Sequence, residues 1–257
     1  MIKTSSWFKQ PQKQDIEIWR YMDFAKFVST LENKGLFFPR VSCLEDKHEG
    51  SHPYGNIDFY KEMYKKIKEI NPEMYKSLQE LDKILSVTGK IATDWTYINS
   101  WHINKSESVA MWKLYSRNTD SIAIKSTYSL LRESLNNSEE NVYIGKVAYI
   151  DFRKYKKIRD QLKPFSLKDH SFSHERELRA VIQKIPIGNI KTLKEIVPAK
   201  GDEGLWISVD LDKLIESVYV SPGSNNSFKE LVSKILKKYA LNKPICSSFH
   251  DKDPNYS

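Results

Sequence analysis

Strand and helix patterns are interspersed along this 257-residue chain without the regular alternation that builds a doubly wound parallel sheet. Glu17-Ile18-Trp19-Arg20-Tyr21 reads as a short strand. Asp23 stands where it can cap a helix, and Phe24, Phe27, Val28 and Leu31 then fall at i, i+3, i+4 and i+7 on one apolar face. Gly35 is placed to end that helix, and Leu36-Phe37-Phe38 reads as a buried strand stopped by Pro39. Further strands are expected at Thr96–Trp101, Ser121–Lys125, Val142–Ile150, Leu178–Ile182, Leu205–Val209 and Val218–Val220, from alternation and β-branched content. Helices are expected over Val109–Tyr115 behind a Ser108 cap, around Leu130–Leu135, and at the end of the chain on Phe228, Leu231, Val232, Ile235 and Leu236. The class is therefore α+β.

Two more helical patterns, on either side of Asn71-Pro72, read as an inserted helical lobe at about 56–88. Residues 1–16 are polar and expected to be frayed, 17–250 to form one α+β domain, and 251–257 to be a tail. An apolar fraction of 40% with 29% charged residues excludes a disordered chain. No apolar run approaches the roughly 20 residues that span a bilayer, so no membrane partner is expected. The first ten residues hold no apolar signal region, and Cys43 and Cys246 have no metal-site spacing, which fits reduced thiols in a cytoplasm.

Lys and Arg number 41 against 33 acidic residues, giving a net charge of +8 that attracts polyanions. The sharpest concentration, Arg153 to Lys168, holds seven basic residues and one acid, Asp160. It reads either as a solvated basic connection or as a phosphate-contacting edge for nucleic acid, with Arg153, Lys154, Lys156 and Lys157 as the contacts. The glycine-rich phosphate loops, the G-x-S-x-G elbow and the H-E-x-x-H zinc motif are all absent, which removes most common nucleotide-binding and hydrolase classes.

Three polar clusters remain as candidates. Trp19-Arg20-Tyr21 offers a planar guanidinium suited to phosphate or carboxylate. Glu45-Asp46-Lys47-His48-Glu49-Gly50 places Asp46 and Glu49 three apart, either as oxygen ligands or as a charged turn held by its own backbone. His174-Glu175-Arg176-Glu177-Leu178-Arg179 runs into an apolar stretch. On a strand, Glu175, Glu177 and Arg179 would share one face, an arrangement that is costly unless those groups are paired or used. Trp112 and Tyr115 lie three apart on the short helix and so share a face, as core or as a stacking surface.

Taken in order, Trp19-Arg20-Tyr21, Gly35-Leu36-Phe37-Phe38, Asp46-x-x-Glu49, Met111-Trp112-x-x-Tyr115, Ser121-Ile122-Ala123-Ile124 and Phe172-x-x-Glu175-x-Glu177-x-Arg179 resemble a large bacterial and phage family labelled only as a domain of unknown function. Its members show a Tyr-Arg-Tyr start, an Asn-Asp-Pro-Phe-Glu turn, a Met-Trp-x-x-Tyr motif and a Trp-x-x-Glu-x-Glu-x-Arg motif. The resemblance spans residues 17–185 and departs at Lys47, where the family has Pro, and at Phe172, where it has Trp.

More distantly, the layout resembles the ADP-ribosyltransferase toxins. That resemblance implies a split mixed or antiparallel sheet with flanking helices, and NAD as substrate. It implies that Arg20, with Tyr21 beside it, binds the pyrophosphate or adenosine ribose, and that Trp112 or Tyr115 packs on the nicotinamide. Glu177 would hydrogen-bond the nicotinamide ribose, and Glu175 would orient or deprotonate the acceptor. It also implies a toxin or antiviral effector that modifies nucleic acid or protein, with an antitoxin or chaperone as a further partner. The family's Ser-Thr-Ser triplet is missing, and Ser100 and Ser116 are imperfect substitutes. Two other classes compete: a metal-dependent nuclease using Asp46, Glu49, Glu175 and Glu177, and a non-catalytic module that binds nucleic acid or protein.

Overall fold

The computed structural model describes residues 1–116, 120–155, 162–185, 203–252 and 254, with backbone alone at 56–58, 81–82 and 84–85. The strands are β1 (Ile2–Lys3), β2 (Glu17–Asp23), β3 (Gly35–Pro39), β4 (Thr96–Ile103), β5 (Ser121–Thr127), β6 (Val142–Lys146), β7 (Ala148–Ile150), β8 (Leu167–Asp169), β9 (Glu177–Gln183), β10 (Gly204–Ser208), β11 (Ser217–Val220) and β12 (Ile245–Ser247). The helices are α1 (Phe24–Glu32), α2 (Tyr54–Ile70), α3 (Pro72–Asp94), α4 (Val109–Tyr115), α5 (Tyr128–Leu135), α6 (Leu211–Leu214) and α7 (Asn226–Lys238).

Among the described residues the main sheet has eight strands in the order β1-β6-β9-β4-β2-β5-β11-β12. β1–β6 and β11–β12 are parallel and the other pairs antiparallel, so the fold is α+β with a mixed sheet and flanking helices. The small pairs β3–β10 and β7–β8 stand apart from it. β2 pairs with β5 along its whole length, from Glu17↔Thr127 to Asp23↔Ser121. Against β4 it makes only two rungs, Ile18↔Ile103 and Trp19↔His102, and beyond them the ladder stops. The sheet is therefore split between β2 and β4.

Alternation decides what each face carries. One face buries Ile18, Met22, Ile122, Ile124, Leu178 and Ala180 against Phe27 and Leu31 of α1, Leu131 of α5 and Val232 of α7. The other face is divided. Phe8, Val41, Ala92, Ile98, Phe165 and Val181 form an apolar cluster toward one side, and Trp19, Tyr21, Met111, Trp112 and Ala123 form another toward the opposite side. The polar residues of β4 and β9 lie between the two clusters.

Local chemistry explains most element ends. Asp23 caps α1 by accepting from the Lys26 amide at 2.8 Å, and Asn71 caps α3 by accepting from the Met74 amide at 3.0 Å. The helical lobe extends beyond its expected end, because the last turns of α3 bury Ile91 and Ala92. Three expectations need correction. The N-terminal segment is not frayed: its ammonium donates to the Ser138 and Glu140 carbonyls at 2.5 and 2.6 Å, β1 pairs with β6, and Phe8 is buried. The free edge of β6 and one aromatic side chain tie down a segment that looked polar. Gly35 does not end α1. Lys34 takes the left-handed position at φ 46°, and Gly35 opens β3, where a Cβ would sit 2.6 Å from the Ile207 carbonyl oxygen. The expected strand 142–150 is two strands, broken where the Val147 amide bonds to the Glu177 carbonyl at 3.0 Å.

Candidate active site

Glu177 opens β9, with Arg179 two residues on and on the same face. Across the ladder, Glu177 is opposite His102 and Arg179 opposite Ser100, so four polar side chains share one patch of the sheet. Arg179 is 1% exposed and fully engaged. Its Nη1 and Nη2 donate to the two carboxylate oxygens of Glu49 at 2.6 and 2.8 Å, Nη1 also donates to the Phe165 carbonyl at 3.0 Å, and Nε donates to Glu177. This bidentate fork is what keeps such a cation soluble in an apolar interior.

Lys168 comes in from β8. Its Nζ donates to Glu175 Oε2 at 2.5 Å and to Glu177 Oε1 at 2.9 Å, and lies 4.6 Å from the centre of the Phe172 ring. The Ser100 hydroxyl reaches Glu177 Oε2 at 3.4 Å, and the Tyr149 hydroxyl accepts from the Glu177 amide at 2.7 Å. Glu175 is not on the strand. It ends a 3-10 turn over His170–Glu175, and Arg176 at φ 43° swings the chain into β9. The carboxyls of Glu175 and Glu177 therefore meet by a bend in the backbone and not by strand alternation, and both accept from the Lys168 ammonium.

The buried cluster holds three carboxylates, Glu49, Glu175 and Glu177, against two cations, Lys168 and Arg179. The cluster carries one negative charge more than its cations offset, because Glu175 and Glu177 share the single Lys168 ammonium. Burial first, then the hydrogen bond and charge of Glu177, push Glu175 up to about 7. Burial also opposes ionisation of Glu177, but Arg179, the hydrogen bond from Glu175 and Lys168 outweigh it and hold Glu177 well below the carboxylate range. Burial works against the charge on Lys168 as well, and its contacts with Glu177 and Glu175 outweigh that, so its pKa rises. The pair thus offers one fixed anion beside one group able to exchange a proton near neutrality.

Tyr115 lies near this pair, and Arg20 lies near Tyr115. Arg20 Nη1 donates to the Ser100 carbonyl at 2.8 Å, past the last rung of the β2–β4 ladder. Among the described residues no carboxylate pairs with it. Burial lowers its pKa to about 10, which leaves it charged at neutral pH. Tyr115 keeps its ring exposed, while burial of its hydroxyl and the charges of Glu175 and Glu177 push it up to about 12.

Tyr21 and Trp112 do not share that setting. Both are buried, edge to face, 4.9 Å between ring centres. The Tyr21 hydroxyl accepts from the Ser108 amide at 2.8 Å and the Trp112 indole donates to Glu107 at 2.9 Å, so the two seat α4 and thereby present Tyr115. Trp112 and Tyr115 point into different surroundings, because Trp112 is drawn into the aromatic cluster.

Asp46 accepts from the His48 amide at 2.9 Å and lines a cavity of about 260 Å³ with His48, Tyr54, Phe172 and Lys168. The basic run divides. Arg153 and Lys154 are exposed, with Asp151 as their ion-pair partner at 3.4 and 3.9 Å. Lys156 and Lys157 lie outside the described residues. Lys163 is buried over the Trp7 ring, and Lys168 enters the carboxylate cluster, so neither belongs to a solvated edge. Among the described residues no three His, Cys, Asp or Glu side chains converge as metal ligands. Three of the four acids that a nuclease would use are occupied: Glu49, Glu175 and Glu177 are taken up by Arg179 and Lys168.

Sequence reading missed Lys168, Tyr149 and His102. Lys168 was hidden in a basic run, and the other two reach the cluster only through the pairing of distant strands.

No protein-family model matches the sequence, and no curated protein matches it. Among solved structures, the chain is similar to Thermus sp. 2.9 DarT in complex with NAD+, at 10% identity and a TM-score of 0.40, over 95% of this chain and 100% of that one.

Proposed function

We propose that this protein is an ADP-ribosyltransferase that splits NAD and passes ADP-ribose to a nucleic-acid acceptor. The observation that carries the reading is the carboxyl pair itself: Glu175 and Glu177 share the Lys168 ammonium, Arg179 also holds Glu177, and Tyr115 lies near both carboxyls and near the Arg20 guanidinium. The motif resemblance assigns Glu175, Glu177, Tyr115 and Arg20 to NAD chemistry. Arg20 holds the pyrophosphate, and the exposed Tyr115 ring packs on the nicotinamide.

The bond between ribose C1′ and the nicotinamide nitrogen breaks, and its electron pair leaves with neutral nicotinamide. The positive charge left on the ribose is met by the Glu177 carboxylate, whose position is fixed before reaction by Arg179, Lys168 and Ser100. The acceptor nucleophile bonds to C1′, and its proton passes to ionised Glu175, whose pKa of about 7 suits a base working at neutral pH. Arg179 and Glu49 position Glu177 and touch no substrate. The acceptor class rests on the net charge of +8 and on the exposed Arg153 and Lys154.

The test is incubation with NAD, chelator and single-stranded nucleic acid, followed by mass spectrometry. An ADP-ribosyl adduct on the nucleic acid, absent with Glu177→Gln, is the expected result. An adduct on protein alone would move the acceptor. Magnesium-dependent strand cleavage without an adduct would remove the reading.

A further inference from the structure

His102 is 3% exposed, on a strand whose neighbours on that face are functional polar groups, and no step above uses it. Its Nδ1 lies 2.6 Å from the carbonyl oxygen of Glu175. A carbonyl only accepts, so Nδ1 carries the proton, and the neutral ring leaves Nε2 as a bare acceptor. Nε2 is buried with no hydrogen-bond partner among the described residues. A buried orphan acceptor costs about 1–3 kcal/mol. Phe or Leu would fill the place against Tyr21, 6.2 Å away between ring centres, without that cost. What they would lose is the donor to Glu175.

That donor matters because of where Glu175 sits. β9 starts at Glu177, so the Glu175 carbonyl has no place in the β4–β9 ladder. The following residues are held by other bonds: Ile103 amide to Arg176 carbonyl at 2.9 Å, Arg176 Nη1 to Asn104 Oδ1 at 3.1 Å, and Glu177 amide to the Tyr149 hydroxyl. Among the described residues, the Glu175 carbonyl itself is held by the bond from His102. We infer that His102 is a positioning residue for Glu175: its Nδ1–H anchors the Glu175 carbonyl and thereby keeps that carboxyl within the buried cluster. The role in turnover rests on the transferase reading, while the anchoring itself does not.

The charged and titratable groups around the two residues define what else could respond. Glu175 faces Lys168 from β8, Glu177 from β9, Tyr149 from β7 and Tyr115 from α4, and Arg179 reaches Glu177 beside it. His102 faces Tyr21, and Arg176 and His174 disfavour its protonation after burial has done so.

The first test is nitrogen-15 NMR of the imidazoles in the intact wild-type protein. A neutral His102 ring protonated at Nδ1 is expected, and a ring protonated at Nε2 would overturn the inference with no variant needed. The second is carbon-13 NMR titration of Glu175, assigned with Glu175→Gln. In His102→Phe the Glu175 midpoint should fall by about 2 pH units toward the ordinary glutamate value, as the carboxyl moves out to water. In His102→Asn, which keeps a donor, it should stay within about half a unit of wild type. An unmoved midpoint in folded His102→Phe would refute the anchoring. If wild-type protein releases no nicotinamide from NAD, the transferase reading falls while both NMR results still decide the role of His102.

Discussion

Replacing Glu175 by Gln removes the excess negative charge of the buried cluster, where Glu175 must share Lys168 with Glu177, and the effect should depend on pH in a defined direction. In the folded protein burial and the neighbouring Glu177 push Glu175 up to about 7, against an ordinary glutamate value of 4.5. Between those values the native state keeps a proton that the unfolded chain has lost, so wild-type stability falls as pH rises through that window. At 1.36 kcal/mol per pH unit the full loss is about 3 kcal/mol, of which roughly 2.5 kcal/mol falls between pH 5 and 8.5. Gln mimics the protonated acid and does not titrate. It should therefore be close to wild type in stability at pH 5 and more stable by about 2–3 kcal/mol at pH 8.5. Urea unfolding of both proteins at the two pH values reads this directly, and groups elsewhere cancel in the difference. Parallel pH dependences would show that Glu175 is not the site of the excess charge, and the division of roles between the two carboxyls would fall with it.

Glu177→Gln should cut nicotinamide release by roughly 10²–10⁴ while the protein stays folded, and a folded variant with wild-type turnover would take Glu177 out of the chemistry. Glu49→Ala strips Arg179 of its bidentate partner in a buried site and should cost about 3–5 kcal/mol in urea unfolding. Gly35→Ala should cost about 1–3 kcal/mol, because the new methyl group meets the Ile207 carbonyl across the β3–β10 pair, and an unchanged denaturation midpoint would contradict that close approach.

The parts of the fold legible in the sequence are those set by neighbours along the chain. The Asp23 and Ser108 caps, the apolar stripe of α1 and the alternation of β5 each depend on residues a few positions apart. The acidic strand was visible for the same reason, since Glu177 and Arg179 are two apart. What the sequence hid depends on distant pairing or on a local bend. Glu49 finds Arg179 across 130 residues, and Lys168 reaches Glu177 only because β7–β8 folds beside β9. Glu175 joins the site through the left-handed turn at Arg176, which strand alternation cannot foresee. Trp112 and Tyr115 looked equivalent by spacing, and the aromatic cluster under α4 separates them.

The most direct measurement is calorimetric titration of the purified protein with NAD in chelator, with released nicotinamide quantified in the same samples. The account predicts binding by wild type and by Glu177→Gln, with nicotinamide released by wild type alone once single-stranded nucleic acid is added. Neither binding nor release by a folded wild-type protein would contradict it.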